Sequence, residues 1–188
     1  MAFTALLDAC VLYPAPLRDI LLRLALADLY RAKWSEEIHD EWMRNLATNR
    51  PDIPRGRIEG IRQLMDSHTR DALVRGHEPL VAGLELPDPQ DRHVLAAAIA
   101  ARADLIVTYN LKDFPPGSIG QYGIEAQHPD QFLLHQFDLA PDLVCAVVRE
   151  LRAGLKNPPR SVEEYLANLE KHQLREFSAA LRARSDSL

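Results

Sequence analysis

The sequence predicts an α/β protein with a central, mostly parallel sheet flanked by helices in three layers, and a C-terminal helical extension. Three observations predict this class. Short apolar runs alternate with helix-like periodic segments over the first two thirds of the chain. Polar and acidic residues follow the ends of those runs. From about residue 129 only helical periodicity is found. We therefore expect an α/β domain over 1–128 and a helical domain over 129–188.

The size, hydrophobic content and net charge of the chain limit the kinds of function that it can have. The chain has 188 residues, of which 47% are hydrophobic, and its formal net charge is −5. It can bury a sizeable core, and the length favours one domain with an appendage. A strongly basic surface is absent, so a site for a polyanion must be local or must borrow positive charge from a metal or a partner.

The two cysteines, Cys10 and Cys145, lie far apart in apolar surroundings. This arrangement is typical of buried free thiols rather than of a disulfide framework or a zinc site, and it favours a reducing cytoplasm. No basic region precedes the first apolar run, and no run approaches the length needed to cross a membrane. We therefore expect a soluble cytoplasmic protein with no membrane partner.

The first elements place acidic side chains at structural boundaries. The apolar run 3–7 predicts a strand that presents Asp8 at its carboxyl end. A helix is expected over about 17–30, and a second begins at Ser35 as N-cap. Glu37 and Glu41 are four residues apart in that helix, so they share a face, and one or both could point into the same crevice as Asp8.

The middle of the chain gives weaker patterns. Apolar residues at 58–65 predict a third helix that continues or restarts towards Val74. Residues 79–84 form a weaker strand candidate. The segment 115–123 is rich in Pro and Gly and predicts a loop, and a short extended piece is expected near 124–125.

Residues 88–114 are the most informative stretch. Asp88 precedes Pro89, an order typical of a helix N-cap followed by the first helical residue, so a helix is expected from about residue 89 with Asp91 in its first turn. The apolar run within 103–108 predicts a strand buried on both faces. A second polar cluster, which ends with Asp113, follows this strand, at the sheet edge where α/β proteins bind ligands.

The last part of the chain predicts a helical extension. Four apolar-periodic segments are separated by Pro or polar residues, and Ser161 with Glu164 fits a capping box at the start of the third. The expected helices cover 131–137, 141–155, 161–171 and 174–184.

Four carboxylates from separate segments could meet at the carboxyl edge of the sheet. Each alone has an ordinary explanation as a cap, a turn residue or a solvated charge. Brought together they would repel unless cations lay among them, and an all-oxygen shell suits Mg²⁺ or Mn²⁺. Such ions support hydrolysis of phosphate esters. The four are Asp8, Glu41, Asp91 and Asp113.

Four segments in this order resemble the motifs of PIN-domain ribonucleases, and most closely those of VapC-type toxins from bacterial toxin–antitoxin pairs. The resemblance covers residues 1 to about 125, and the helical extension is similar to that of one VapC subgroup. The segments are 6–12 (Leu-Leu-Asp-Ala-Cys-Val-Leu), 35–41 (Ser-Glu-Glu-Ile-His-Asp-Glu), Asp91 with 94–98 (Val-Leu-Ala-Ala-Ala), and 108–114 (Thr-Tyr-Asn-Leu-Lys-Asp-Phe).

The resemblance implies a site and a reaction. Asp8, Glu41, Asp91 and Asp113 would form the acidic quartet that binds Mg²⁺, and Glu41 would hold or deprotonate the attacking water. RNA would be the substrate, cleaved to leave a 5′ phosphate and a 3′ hydroxyl. A cognate antitoxin would be the protein partner, and self-association as a homodimer is left open.

Three further positions, Thr108, Asn110 and Asp88, could support the site. Thr108 is the hydroxyl that the resemblance assigns to the metal site. Asn110 stands where many relatives have Asp, so it could supply a neutral oxygen or only a hydrogen bond. Asp88 could join the metal shell or act only as a helix cap.

Other functions are weighed against the nuclease. Because Asn110 departs from the pattern, a catalytically weak PIN-like module that binds RNA or protein is the alternative. The pair His39-Asp40 also occurs in HD-type phosphohydrolases, but the further ligands that such a site needs are not found. Trp34 and Trp42 are expected to pack in the core or against a partner rather than to stack on bases.

Overall fold

A five-stranded sheet lies at the centre of the protein, and each of its strands runs parallel to its neighbours. The computed structural model describes residues 3–188. The strand order is β3-β2-β1-β4-β5. The predicted α/β class with a parallel central sheet is therefore confirmed. The strands are β1 (Thr4–Leu7), β2 (Arg31–Ser35), β3 (Leu73–Val74), β4 (Leu105–Val107) and β5 (Glu125–Gln127).

Strand β1 occupies the middle of the sheet. Ala5 lies opposite Ala32 of β2 on one side and opposite Leu105 of β4 on the other. Ala5, Leu6 and Leu7 are completely buried, as expected for a parallel strand covered on both faces by helices. The residue that follows β1 therefore lies at the centre of the carboxyl edge of the sheet.

Helices cover the sheet and extend beyond it. Those of the α/β part are α1 (Ala9–Leu12), α2 (Ala15–Leu26), α3 (Glu36–Asn49), α4 (Arg55–His68), α5 (Glu78–Val81), α6 (Arg92–Ala100) and α7 (Pro116–Ile119). After β5 come α8 (Pro129–Leu139), α9 (Pro141–Gly154), α10 (Val162–Lys171) and α11 (Arg175–Arg182). We call residues 129–188 the tail.

Three short elements differ from the sequence prediction. The residues just before α3 form strand β2, which the periodicity did not reveal. Leu73–Val74 forms β3 beside β2 and does not continue a helix. The strand expected over 79–84 was wrong, because Glu78–Val81 is a helical turn with Pro79 near its start. Strands this short are defined by the neighbours with which they pair, so they leave little periodicity to detect.

The helix expected from residue 89 begins later. Pro89–Asp91 is a 3₁₀ turn, and α6 begins at Arg92. Asp88 does cap this entry, because its Oδ1 accepts a hydrogen bond from the backbone N–H of Gln90 at 2.8 Å. Likewise, the loop predicted over 115–123 holds the one-turn helix α7 and a 3₁₀ turn, whereas the extended piece that follows is confirmed as β5.

The tail is helical, as predicted, and packs on the α/β part. The capping box of Ser161 and Glu164 at the start of α10 is present in both directions. Phe132 of α8 lies edge-on to Phe3 and Tyr30, with ring centroids 6.1 and 4.9 Å apart. Helix α9 also packs against α2.

The cysteines are unpaired and the two tryptophans lie in the core. Cys10 and Cys145 are free thiols, the first half-buried and the second buried. Trp34 and Trp42 are completely buried in the core, as expected. Among residues 3–188, no helix combines the length and the apolar character that crossing a membrane would require.

Candidate active site

Several of the predicted site residues lie at or near the carboxyl edge of the sheet. Asp8 directly follows β1, and Thr108 directly follows β4, its neighbour in the sheet. Strand β2, on the other side of β1, ends at Ser35. The Ser35 hydroxyl accepts a hydrogen bond from the Ile38 N–H, so the chain turns at once into α3, which carries Glu41. Parallel strands thus bring three separate segments to one edge.

Asp8 is a buried carboxylate held by short-range contacts. It is only 4% exposed. Its Oδ1 accepts a hydrogen bond from the Ala9 N–H at 2.7 Å. Its Oδ2 accepts from the Thr108 hydroxyl at 2.7 Å and from the Cys10 thiol at 3.2 Å. The carboxylate therefore has a fixed orientation, and Thr108 acts as a support for it.

Asp91 lies at the N-terminus of α6, where the helix dipole favours a negative charge. Even so, burial raises the pKa of Asp91 to about 7, and the charges of neighbouring carboxylates add to this effect. The neighbours that contribute are Asp8, Asp88, Asp113 and Glu41. Asp91 is thus the centre of a group of like charges.

Glu41 is half-buried on α3. Burial raises the pKa of Glu41 above its ordinary value, and the nearby charge of Asp8 acts in the same direction. The charge of Arg44, an exposed residue of the same helix, opposes this shift. The Nε2 atom of His93 lies 3.8 Å from a Glu41 carboxylate oxygen.

The three remaining predicted residues lie further out. Asp113 is half-buried in the 3₁₀ turn Leu111–Asp113, and Asp88 is exposed at the entry to α6. Asn110 is exposed, and its backbone N–H donates to the Thr108 hydroxyl oxygen at 3.0 Å. Its backbone therefore helps to orient the support of Asp8.

We call Asp8, Glu41, Asp88, Asp91 and Asp113 the acidic cluster. Their oxygen atoms are the donors that hard cations prefer, and, after burial, the charges of the other four carboxylates help to raise the pKa of Asp91. A divalent cation would relieve this repulsion, so the donor set fits Mg²⁺ or Mn²⁺. Across residues 3–188, however, no three His, Cys, Asp or Glu side chains are already arranged to hold a metal ion.

The structure adds neighbours that the sequence did not indicate. His77 is 1% exposed, and its Nε2 lies 3.2 Å from a carboxylate oxygen of Glu37, next to the acidic cluster. Cys10, interpreted only as a free thiol, contacts Asp8. In the sequence, Cys10 lies two residues after Asp8, and this spacing was the only indication that the two side chains could meet. No sequence signal linked His77 to α3.

A second polar group lies on the other side of α3. His39 is completely buried; its Nδ1 accepts from the Trp42 indole N–H at 2.9 Å, and its Nε2 lies 3.0 Å from Asp66 Oδ1. The Trp34 indole N–H donates to the same Asp66 oxygen at 2.9 Å. We call these four residues the His39 network. Both ring nitrogens have protein partners, so His39 is not a metal ligand of the HD type.

Comparison with known proteins identifies the family to which the chain belongs. Residues 4–112 match the family model described as PIN domain. This match covers more than half of the chain, so the protein belongs to the PIN domain family. Residues 129–183, within the tail, match the model described as VapC50 C-terminal domain.

A curated relative is similar to part of the chain. The chain is 40% identical over 111 residues to the Mycobacterium tuberculosis protein named "Putative ribonuclease VapC50". The aligned part is 59% of this chain and 64% of the relative, so the chain spans less than two thirds of the relative's length. No solved structure matches the chain significantly.

Proposed function

We propose that the protein is a metal-dependent endoribonuclease. One observation carries the proposal: the Asp91 carboxyl group lies among four other carboxylates at the carboxyl edge of a parallel sheet, and their charges help to raise its pKa to about 7. Membership of the PIN domain family supports it, as does the word ribonuclease in the name of the relative.

In this proposal Asp8, Asp91 and Asp113 hold the metal, with Glu41 beside them. Mg²⁺ is the first candidate and Mn²⁺ the second, because both prefer oxygen ligands. When bound, such an ion lowers the pKa of water and stabilises negative charge on a phosphate that is being hydrolysed.

The side chains have separate tasks. Thr108 and Cys10 fix the orientation of Asp8 by donating to its Oδ2. Burial raises the pKa of Glu41, which makes its carboxylate a stronger base for the proton of an attacking water. Asp88 caps the turn that presents Asp91. Hydrolysis would leave a 5′ phosphate and a 3′ hydroxyl on the RNA.

The test is cleavage of single-stranded and structured RNA by the purified protein, with Mg²⁺ or with EDTA. We expect cleavage only with metal, and we expect Asp8→Asn and Asp91→Asn to abolish it while the circular dichroism spectrum is unchanged. Asp40→Asn, an exposed acid on α3, is the matched control and should keep full activity. Full activity of both site variants would reject the proposal. RNA binding without cleavage by the wild type would support the alternative, a catalytically weak binding module.

We further propose that this nuclease is the toxin of a toxin–antitoxin pair and acts on cellular RNA in the cytoplasm. The order of the motifs around Asp8, Glu41, Asp91 and Asp113 supports this, together with the match of the tail to the VapC50 C-terminal domain. Expression in a bacterial host should arrest growth, and Asp91→Asn should remove the arrest. Co-expression of the protein encoded by the adjacent gene should restore growth of cells that express the wild type. Light scattering would determine whether a homodimer forms.

A further inference from the structure

The tail contacts the loop that supports the acidic cluster. The Tyr109 hydroxyl donates a hydrogen bond to the backbone carbonyl of His172 at 2.7 Å. His172 follows α10 and lies in the turn before α11. Tyr109 lies between Thr108 and Asn110, both of which take part in the contacts around Asp8. One side chain therefore joins the tail to the carboxyl edge of the sheet.

From Tyr109 the contacts continue to Asp8. The Tyr109 backbone N–H donates to the Cys10 sulfur at 3.4 Å, and the Cys10 thiol donates to Asp8 Oδ2 at 3.2 Å. The Thr108 hydroxyl donates to the same oxygen at 2.7 Å. A displacement of the Tyr109 backbone would therefore disturb both donors to Asp8 Oδ2.

The tail end of this connection is itself anchored. Asp130 of α8 is 7% exposed, and its two carboxylate oxygens accept hydrogen bonds from the backbone N–H groups of Glu176 and Phe177, both at 2.9 Å. These N–H groups belong to the first turn of α11, where helices lack internal partners. The imidazole of His128 packs edge-on against the Tyr109 ring, with centroids 5.1 Å apart. These contacts thus anchor the turn that holds His172 to α8, the helix that directly follows β5.

We propose that Tyr109 is a positioning residue through which the tail holds Asp8 in the orientation needed to bind the metal. The inference rests on the proposed function, because it gives the tail a role at that same site. Burial raises the pKa of Tyr109 above its usual range, so its phenol remains a hydrogen-bond donor at neutral pH. The hydroxyl, rather than the aromatic ring alone, carries the connection.

Tyr109→Phe removes this hydroxyl and keeps the ring that packs against His128. We expect Mg²⁺ binding, measured by calorimetry, to weaken about 3- to 10-fold, the range for the loss of one hydrogen bond. In the metal-free protein, amide hydrogen exchange should accelerate over 8–12 and 106–113. Tyr122→Phe is the matched control, because Tyr122 is 40% exposed; neither its Mg²⁺ affinity nor its exchange should change.

A double variant separates positioning from general packing. Cys10→Ala removes the middle of the connection, so adding Tyr109→Phe to Cys10→Ala should weaken Mg²⁺ binding less than Tyr109→Phe alone does. Unchanged affinity and unchanged local exchange in Tyr109→Phe would overturn the proposal, and so would faster exchange throughout the protein. The exchange measurement needs neither metal nor RNA, so it decides the proposal even if the wild type fails to cleave RNA.

Discussion

Two polar groups on opposite sides of α3 satisfy their charges in different ways. In the His39 network, a buried imidazole, a carboxylate and two indole N–H groups complete one another's hydrogen bonds. In the acidic cluster, Asp91 is surrounded by charges of its own sign. At 100° per residue, His39 lies about 160° around the helix from both Glu37 and Glu41. One helix therefore separates a group that stabilises the fold from a group whose repulsion favours a cation.

The largest expected effect comes from breaking the acidic cluster at its centre. Asp91→Asn should lower metal-dependent RNA cleavage about 1,000-fold, because the several kcal/mol that a metal contributes to the reaction would be lost. The same change should not lower stability in EDTA, since it removes a repelled charge. Initial cleavage rates and urea unfolding would measure the two effects. A variant that lost activity only because it unfolded would contradict this expectation.

The opposite result is expected from breaking the His39 network. His39→Leu leaves the buried Trp42 indole N–H without an acceptor, which should reduce the free energy of unfolding by about 2–4 kcal/mol. The neighbouring exposed change Asp40→Ala should alter it by less than about 0.5 kcal/mol. Urea denaturation would compare the two. RNA cleavage per folded His39→Leu molecule should remain near that of the wild type, and a loss as large as that of Asp91→Asn would remove the distinction between the groups.

The pH dependence of stability should also distinguish them. The pKa of Asp91 in the folded protein is raised from 3.8 to about 7. The stability that the protonated Asp91 carboxyl group contributes is therefore fully present below the unfolded pKa, and it is lost as the pH rises through about 7. Between about pH 4 and pH 7.5 in EDTA, the free energy of unfolding of the wild type should therefore decrease by about 1–2 kcal/mol relative to that of Asp91→Asn, after allowance for solvent screening. Mg²⁺ should remove this difference at the upper end. A constant difference across the range would refute the assignment.

The His39 network should respond to acid in the opposite direction. Burial lowers the pKa of His39 below its ordinary value of 6.5. The stability that the neutral His39 ring contributes is therefore present above pH 6.5, and it is lost as the pH falls through the lower pKa of the folded protein. In the Asp91→Asn background, the free energy of unfolding should therefore decrease as the pH falls below 6.5. Chemical shifts of the His39 ring, followed by NMR, would show whether the ring titrates in that range.

The smallest effect is expected at the edge of the acidic cluster. Asn110→Asp adds a carboxylate at an exposed position, so it should tighten Mg²⁺ binding only about 2- to 5-fold, because water screens the added charge. Calorimetry of the two proteins would measure this change. Weaker Mg²⁺ binding in the variant would indicate that the backbone contact of residue 110 with Thr108 matters more than its charge.

The site was predictable to the extent that it follows from strand ends. The apolar runs of the sequence predicted strands β1 and β4. Because these strands are parallel neighbours, the residues that follow them, Asp8 and Thr108, lie at the same edge of the sheet. The capping pattern Asp88-Pro89 likewise located the start of the turn that leads to Asp91. Local patterns thus gave the main candidates for the site.

Contacts between distant segments could not be predicted in the same way. The bond from Tyr109 to His172 joins residues 63 positions apart, and the contact of His39 with Asp66 joins residues 27 apart. Neither pair belongs to a shared periodic pattern. The two-residue strand β3 was missed for a related reason, because its pairing with β2 rather than its own composition makes it a strand.

The central place of β1 in the sheet has a consequence for synthesis of the protein. β1 is made first, but its partner β4 ends at Val107 and the last residue of the acidic cluster is Asp113. Asp8, Asp91 and Asp113 therefore cannot come together until Asp113 has left the ribosome. If the proposed activity is correct, the growing polypeptide cannot cut the messenger that encodes it until that point in translation.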